Sequence, residues 1–401
     1  MAVMTVKKKI RFLFQAASHW YCFASVYRAF GNDCRYDVEV VALPFLKNDV
    51  QLGEPSWAFL EAQGIPFVHY LQYDTDADAP DVVFLHCPYD ETRPPAFHAA
   101  ALHEHNVRLA YIPYGPDVGG GERNRRFQYG LDTQLRAWRI FARSEAHRMR
   151  YARNLPGSAK RVVVTGHPKL DELRGAPADN PFSPLVDGKC VLLWNPHFSV
   201  GFPAELRWST FDRYVNAMCR LAAQRDDVAI IMRPHPNLFH TLMLREPGKR
   251  LIATLIAFAN RHRNFVIDQS PLYKAAFDAS HAMMTDTSSL MYEYLACDKP
   301  ILHLDCDGGA GLNEEGRQLV RGMSRARAER DIVAFVDDIV RGRDATQALR
   351  RRVIAGVLGE CDGKNGERVK LAVDRSDLWQ SVPARALHGS MRFKFVNGSD
   401  A

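Results

Sequence analysis

Four polar clusters in this chain each follow directly on an apolar, β-branched run. "VVVTGHPKLDEL" places Gly166, His167, Pro168 and Lys169 after such a run, and "VLLWNPHFS" places Asn195, His197 and Ser199 after the next. "IIMRPHPN" supplies Arg233, His235 and Asn237, and "MMTDTSSLMYEY" supplies Asp286, Thr287, Ser288, Ser289 and Glu293. In open α/β sheets, ligands are held at the C-terminal ends of strands, where these clusters fall. A single histidine in such a place more often makes a structural hydrogen bond than does chemistry. His235 is different in kind, because Pro234 and Pro236 fix its backbone and bring no N–H of their own. Arg233 beside it offers a planar fork that matches phosphate oxygens.

The fourth cluster combines two signals. Asp286, Thr287 and Ser288 are residue types that cap helix N-termini. They separate a strand ending at Thr285 from a helix expected over Ser288–Cys297, which stops at Asp298-Lys299-Pro300 before a strand at Ile301–Leu304. A strand, a hydroxyl-rich turn and a helix N-terminus form a common cradle for phosphate. The same residues also make an ordinary cap that binds nothing. Ser289 and Glu293, four apart, share a helix face. A phosphate at the helix start would leave Glu293 one turn deeper, in reach of ribose hydroxyls; the alternative is a solvated Glu293 with Leu290 and Tyr294 in the core. Together the clusters suggest a nucleoside diphosphate.

The elements that must position these residues alternate along the chain, which predicts an α/β protein with parallel sheets. Candidate strands are residues 9–15, 38–45, 66–70, 81–88, 107–115 and 161–168 in the first half, and 190–198, 227–236, 264–269, 281–286 and 300–304 in the second. Helices are expected over 20–33, 55–64 and 95–106, with an arginine-rich helical region over 122–153. The polar, proline-bearing stretch 174–189 reads as a linker. The expected organisation is an N-terminal domain over 1–173, a C-terminal domain over 190–375 and a tail over 376–401, with a cleft between the two domains.

Length and composition agree: 401 residues suit two domains, and 47% apolar with 24% charged residues is the balance of a globular chain. The eight cysteines are scattered without C-x-x-C or zinc spacing, as expected for reduced thiols in a cytoplasmic protein. No run approaches the roughly 20 apolar residues that span a bilayer. Lys7-Lys8-Lys9 precedes "IRFLFQAA", but Arg11 breaks that run, so it reads as a first strand and not as a signal peptide. The net charge is +6, and Arg123 to Arg161 carries eleven Lys/Arg against Asp132 and Glu145. Such a segment either attracts an anionic membrane surface or forms a solvated helix face. No nucleic-acid motif accompanies it. "HEH" at 103–105 falls on an exposed helix, and no metal site is expected.

"TGHPKLDEL", "RPHP" and "DTSSLMYEYLACDKPIL" resemble the CDP-glycerol glycerophosphotransferase family, the polymerases and primases of teichoic-acid-like polymers. The resemblance covers about Arg161 to Leu304, and rests on Arg233, His235, Pro236, Ser288, Ser289, Glu293, Lys299 and Pro300. It implies a GT-B fold, two Rossmann-like domains facing a central cleft with the donor held mainly by the second. It further implies transfer of glycerol phosphate from CDP-glycerol to a hydroxyl of a cell-surface polysaccharide or glycolipid, as in teichoic-acid or capsule synthesis, with no cofactor beyond the nucleotide-activated donor. On this reading Arg233, Asn237, Gly166, His167, Lys169, Asp286, Thr287, Ser288, Ser289 and Glu293 are donor-side. Arg233, a protonated His235 and the Ser288 helix would stabilise the phosphates, and the protein would work in the cytoplasm or peripherally on the inner face of the plasma membrane.

The family also carries W-H-G-T-P-x-K at the end of its N-terminal domain, with a histidine proposed to act in catalysis. Here the counterpart is "YIPYGPDVGGGER", where Tyr114 precedes Gly115 and no histidine is present. His19, just after the first strand, is the substitute candidate for the base, and His197 the alternative. Tyr114, Gly115 and Gly120 are the acceptor-side candidates, although Gly119-Gly120-Gly121 also reads as a plain flexible loop. A GT-B sugar transferase using a UDP- or CMP-sugar is the main rival. A UDP-N-acetylglucosamine 2-epimerase is a further one, favoured by "RPHPN" but opposed by the missing Gly-Gly and paired acids after Asp286. A non-catalytic nucleotide-binding relative is the last.

Overall fold

Valine, isoleucine, leucine and phenylalanine dominate most of the strands because a sheet covered by helices on both faces needs apolar side chains on both. The computed structural model describes residues 6–116, 118–183 and 187–376. In the first half the strands are β1 (Lys8–Phe14), β2 (Tyr36–Ala42), β3 (Leu46–Lys47), β4 (Val50–Gln51), β5 (Phe67–His69), β6 (Val82–Leu85), β7 (Arg108–Tyr111), β8 (Arg139–Ala142) and β9 (Val162–Val164). Seven of them form one parallel sheet in the order β5-β2-β1-β6-β7-β8-β9, while β3 and β4 make a separate antiparallel hairpin. The second half contributes β10 (Cys190–Asn195), β11 (Val228–Met232), β12 (Phe265–Ile267), β13 (Ala282–Thr285), β14 (Ile301–Leu304) and β15 (Ser324–Ala326), in the order β12-β11-β10-β13-β14-β15. Two parallel sheets with intervening helices are the GT-B architecture.

The order of strands reverses at β1/β6 in the first sheet and at β10/β13 in the second, and crevices open outside the C-terminal strand ends at such switch points. Register fixes the places: Ile10 lies between Val38 and Val82, and Leu193 between Ile231 and Met283. The loops after β1 and β6 and those after β10 and β13 therefore lie at the two switch points. Residues 15–19, 86–90, 195–199 and 286–289 occupy those loops.

Four strands fall outside the segments that composition marked: β3 and β4 of the short hairpin, β8 and β15. The region 122–153 is helical over Glu122–Tyr129, Asp132–Arg136 and Glu145–Asn154, but β8 runs through its middle. Its core residues Ile140, Phe141 and Ala142 are fully buried, and the arginines around them obscured the pattern. β15 is a polar three-residue edge strand with no apolar signature.

Buried charge joins the halves. Glu315 receives Arg143 and Arg150, and the Arg143 guanidinium lies over the Tyr292 ring, 5.6 Å from its centroid. The arginine-rich segment accordingly presents no uniform basic face. Arg143 is buried in that ion pair, and Arg125, Arg136 and Arg148 pair with Glu122, Asp132 and Glu145 on their own helices. The helix Asn365–Asp374 returns to the first half. Asp171 accepts the N–H groups of Asn365 (3.0 Å) and Gly366 (2.8 Å) at its start, and Lys370 reaches Asp33 at 2.7 Å. Residues 365–374, grouped by sequence with the second half, thus pack on the first. The tail beyond residue 376 lies outside the described residues. No described helix is long and apolar enough to cross a membrane.

Candidate active site

A cleft of about 570 Å³ opens where the two sheets present their switch points. From the first half it is lined by Gln15, Ser18, His19, Tyr114 and Lys169. From the second half come Asn195, Arg233, His235, Asn237, Ser288 and Ser289. Residues far apart in sequence meet here because each follows a strand of one of the two sheets.

His235 sits on a tightly specified turn. Its backbone N–H donates to Pro196 O at 3.0 Å, and its Nδ1 accepts the Asn237 N–H at 3.1 Å. The ring proton is therefore on Nε2. Burial pushes the imidazole down to about 4, so it is neutral near pH 7 and acts as a hydrogen-bond donor without a charge. The expectation of a protonated His235 is corrected on this point. Its ring packs against Phe198 (4.5 Å between centroids) and His197 (5.3 Å).

Arg233 lines the cleft, but its fork is already engaged. One terminal nitrogen bonds Asp268 (2.5 Å) and Ser270 Oγ (3.1 Å), the other Ser270 O (2.8 Å). A free fork for phosphate is thus not what the fold presents. Asp286 is buried and reaches no ligand position. It accepts from His197 N at 2.8 Å, Thr210 N at 3.1 Å and Ser209 Oγ at 3.3 Å, which ties the loop after β10 to the turn after β13. Burial pushes its carboxyl up to about 6 against those hydrogen bonds.

Ser288 and Ser289 reach the cleft ahead of a helix that spans only Leu290–Leu295. Gly115 abuts this turn from the first half: a Cβ there would lie 3.1 Å from Ser289 Cβ. Glu293 is buried and pairs with Lys169 Nζ at 3.1 Å across the two halves, while its Oε2 has no partner among the described residues. Burial pulls the Lys169 ammonium down, but its neighbours, Glu293 foremost, outweigh that and raise it above its ordinary value. The solvated alternative for Glu293 is ruled out. A double-mutant cycle of Lys169→Met and Glu293→Gln, read by urea unfolding, is expected to give a coupling energy of about 1–3 kcal/mol. A coupling near zero would mean the pair does not fasten the halves.

The family described as CDP-Glycerol:Poly(glycerophosphate) glycerophosphotransferase matches residues 122–371, more than half of the chain. The chain belongs to this family. It is a transferase of glycerophosphotransferase type, and the resemblance read at Arg233, His235 and Ser288-Ser289 is borne out. No curated protein matches. Among solved structures, a variant of the wall teichoic acid polymerase TagF aligns with TM-score 0.59 at 13% identity over 93% of this chain and 89% of its own. The S. aureus MnaA–UDP structure aligns with TM-score 0.63 at 16% identity, covering 92% of this chain and 96% of that one. The Methanocaldococcus jannaschii UDP-GlcNAc 2-epimerase in complex with UDP-GlcNAc and UDP gives 0.63 at 14%, over 92% and 100%. Identities this low establish a shared fold.

Several residues of the glycerophosphotransferase that sequence singled out for the donor, the acceptor or catalysis, or as part of the family signature, have contacts elsewhere in the fold. His167 donates from Nε2 to Pro113 O at 3.0 Å and accepts the Lys169 N–H at 3.2 Å on Nδ1. Gly166 has φ +78°, and a Cβ there would lie 2.0 Å from Asn365 Oδ1, so it is glycine to admit the returning C-terminal segment. Lys299 holds the carbonyls of Phe277, Asp278 and Ser280. Gly120 is buried outside the cleft and donates to Gly311 O at 2.9 Å. His197 stands behind His235, its Nδ1 accepting from Ser199 Oγ at 2.9 Å, and does not line the cleft. Thr287 opens on a different cavity.

His19 does line the cleft. Its ring is 5.0 Å from Tyr114 and 4.8 Å from His86, and burial lowers it to about 3, so it too is neutral. Sequence reasoning missed Asp268, Ser270 and Tyr273, although "DQSPLY" directly follows β12 and obeys the same strand-end rule. It also missed residues 45–54. Asn48 and Asp49 take positive φ (51° and 61°) in the β3–β4 hairpin, a turn these residue types tolerate, and Phe45, Leu52, Gly53 and Glu54 close the cleft mouth.

Proposed function

We propose that the protein transfers glycerol phosphate from CDP-glycerol to a hydroxyl of a polymer or glycolipid acceptor of teichoic-acid or capsule type. The family match carries this reading, and the cleft supplies chemistry that fits it. TagF, which shares the fold, has also been studied as crystals soaked with CDPG. The acceptor oxygen forms a bond to the phosphorus that bears glycerol. The bond from that phosphorus to the bridging oxygen breaks, and CMP leaves with the electron pair. Little covalent work falls to the protein in such a transfer, which makes positioning and charge stabilisation decisive.

In this reading the His235 Nε2–H and the Ser288 and Ser289 hydroxyls meet the phosphate oxygens, and the Lys169–Glu293 pair braces the wall beside them. His19, on the first-half wall beside Tyr114, orients the acceptor hydroxyl; the negative charge of the bound donor offsets the burial that weakens its ring as a base and lets it take up the proton as the bond forms. Arg233 acts by holding Asp268 and Ser270 in the cleft wall. No metal or cofactor is given a role. The eight cysteines are all unpaired, which suits a reducing cytoplasm, with the acceptor presented at the inner face of the membrane.

A thermal-shift panel with CMP, CDP, CDP-glycerol, UDP, UDP-N-acetylglucosamine and CMP-sugars tests the donor. A ligand at 100 times its Kd adds about 2.7 kcal/mol to stability. Cytidine nucleotides, CDP-glycerol most of all, are expected to raise Tm; a response confined to uridine nucleotides would overturn the donor assignment.

A further inference from the structure

A second cavity, of about 740 Å³, lies on the other side of the Asp286–Ser289 turn, at the ends of β13, β14 and β15. Thr287 lines it, while its neighbours Ser288 and Ser289 line the cleft. One turn thus forms a wall of both spaces. Trp208 lines the second cavity and stands edge-on to His197 (5.8 Å, 78°), whose ring packs behind His235 of the cleft.

Four arginines line the cavity: Arg317, Arg321, Arg325 and Arg327. The floor is built. His303 and Asp305 are buried, His303 Nδ1 bonds Asp305 at 2.9 Å, and Asp305 also holds Arg325 (2.8 Å) and Arg327 (3.1 Å). One carboxylate therefore serves two guanidinium groups. The other acid of the lining, Asp307, pairs with Arg213 at 3.3 Å. Arg317 and Arg321 have no acidic partner among the described residues. The cavity consequently keeps an excess of planar cations, the type that pairs with phosphate oxygens, with Arg317 held in place by Leu312 O at 2.6 Å.

Such an excess, in a cavity that shares the Thr287–Ser289 turn with the donor cleft, has little use for a neutral sugar acceptor and suits a chain with repeated negative charge. We propose that this arginine cavity holds the phosphodiester backbone of the acceptor, gripping repeats already built while the chain end reaches the cleft. The inference rests on the glycerophosphotransferase reading and adds where the acceptor polymer lies. It also gives the glycine loop a purpose. The Gly120 N–H and the Trp208 Nε1–H both donate to Gly311 O, and Gly119 bridges to Leu312, so the first half braces the rim of this cavity.

The test is the double charge reversal Arg317→Glu/Arg321→Glu, on exposed side chains outside the cleft, with Arg330→Glu as control at an 89% exposed position that does not line the cavity. Calorimetry of a long glycerol-phosphate oligomer without donor is expected to show binding weakened about tenfold or more in the double variant and unchanged in the control. In transfer assays the KM for the long acceptor is expected to rise by a similar factor. Donor KM, kcat and the KM for a one-repeat acceptor stay as in the wild type. Equal oligomer binding by wild type and double variant would overturn the proposal, and so would an equal loss of affinity for single-stranded DNA, which would indicate a general polyanion surface. A wild type that binds the oligomer at these arginines but ignores cytidine nucleotides would refute the CDP-glycerol reading and leave the cavity's ligand class standing.

Discussion

Replacing His235 by alanine is expected to lower kcat/KM by about 10² to 10³-fold, most of it in kcat. Removing one preorganised donor aimed at charge that develops in the transition state costs that much in enzymes of comparable design. The physical basis is the turn Arg233-Pro234-His235-Pro236-Asn237. The Asn237 N–H occupies Nδ1, which fixes the proton on Nε2, and the flanking prolines and Phe198 hold the ring. Because burial lowers the imidazole to about 4, the donor stays in place across the neutral range. The pH profile between about pH 6.5 and 8.5 should therefore show no limb from His235, in contrast to a mechanism that needs an imidazolium. Steady-state kinetics of His235→Ala with CDP-glycerol decide the matter. A raised donor KM with unchanged kcat would show uniform binding and remove His235 from the chemistry.

Folding stability should fall steeply as the pH drops below about 6.5. Seven histidines are held below their ordinary value, in each case first by burial: His19, His86, His147, His167, His197, His235 and the partly exposed His281. In the unfolded chain each takes a proton near pH 6.5, while the folded state does not. Below that pH the unfolded state binds more protons, so acid favours unfolding, by up to about 1.4 kcal/mol per pH unit for each group. His86 is the extreme case, fully buried with neither ring nitrogen bonded among the described residues. Asp286 works in the opposite sense. Raised to about 6, it takes its proton first in the folded state and offsets part of one histidine's effect. The net slope is several kcal/mol per unit, which is large against the roughly 5–15 kcal/mol by which domains are stable. Urea unfolding at pH 7.5, 6.5 and 5.5 should show the midpoint falling at each step. A constant midpoint would mean that these imidazoles are protonated in the fold. Asp305, held below the carboxylate range, adds its own loss only below about pH 3.8.

Sequence by itself determined the architecture and the strand ends at which the candidate cleft forms. Apolar runs alternating with helices required parallel sheets, and polar groups after β10, β11 and β13 had to emerge at one edge, because a strand delivers its next residues to its C-terminal end. The signature at Arg233, His235, Ser288 and Ser289 was sufficient for the family. What each of these residues does was decided only by tertiary structure. Arg233 reads as a phosphate fork until Asp268 and Ser270, some 35 residues later, engage it. Asp286 reads as a cap until the fold buries it under His197, Ser209 and Thr210. Glu293 reads as solvated or ribose-facing until Lys169, from the other half, pairs with it. Gly166 and His167 read as ligand residues until Asn365 returns from near the C-terminus to occupy their surface. Charge, hydrogen-bond capacity and protonation depend on which neighbours the fold brings within about 3 Å and on how much water it removes. Neither is a property of local sequence. That is also why the arginine cavity, assembled from residues 208, 287 and 303–327, could not be read from any single stretch of the chain.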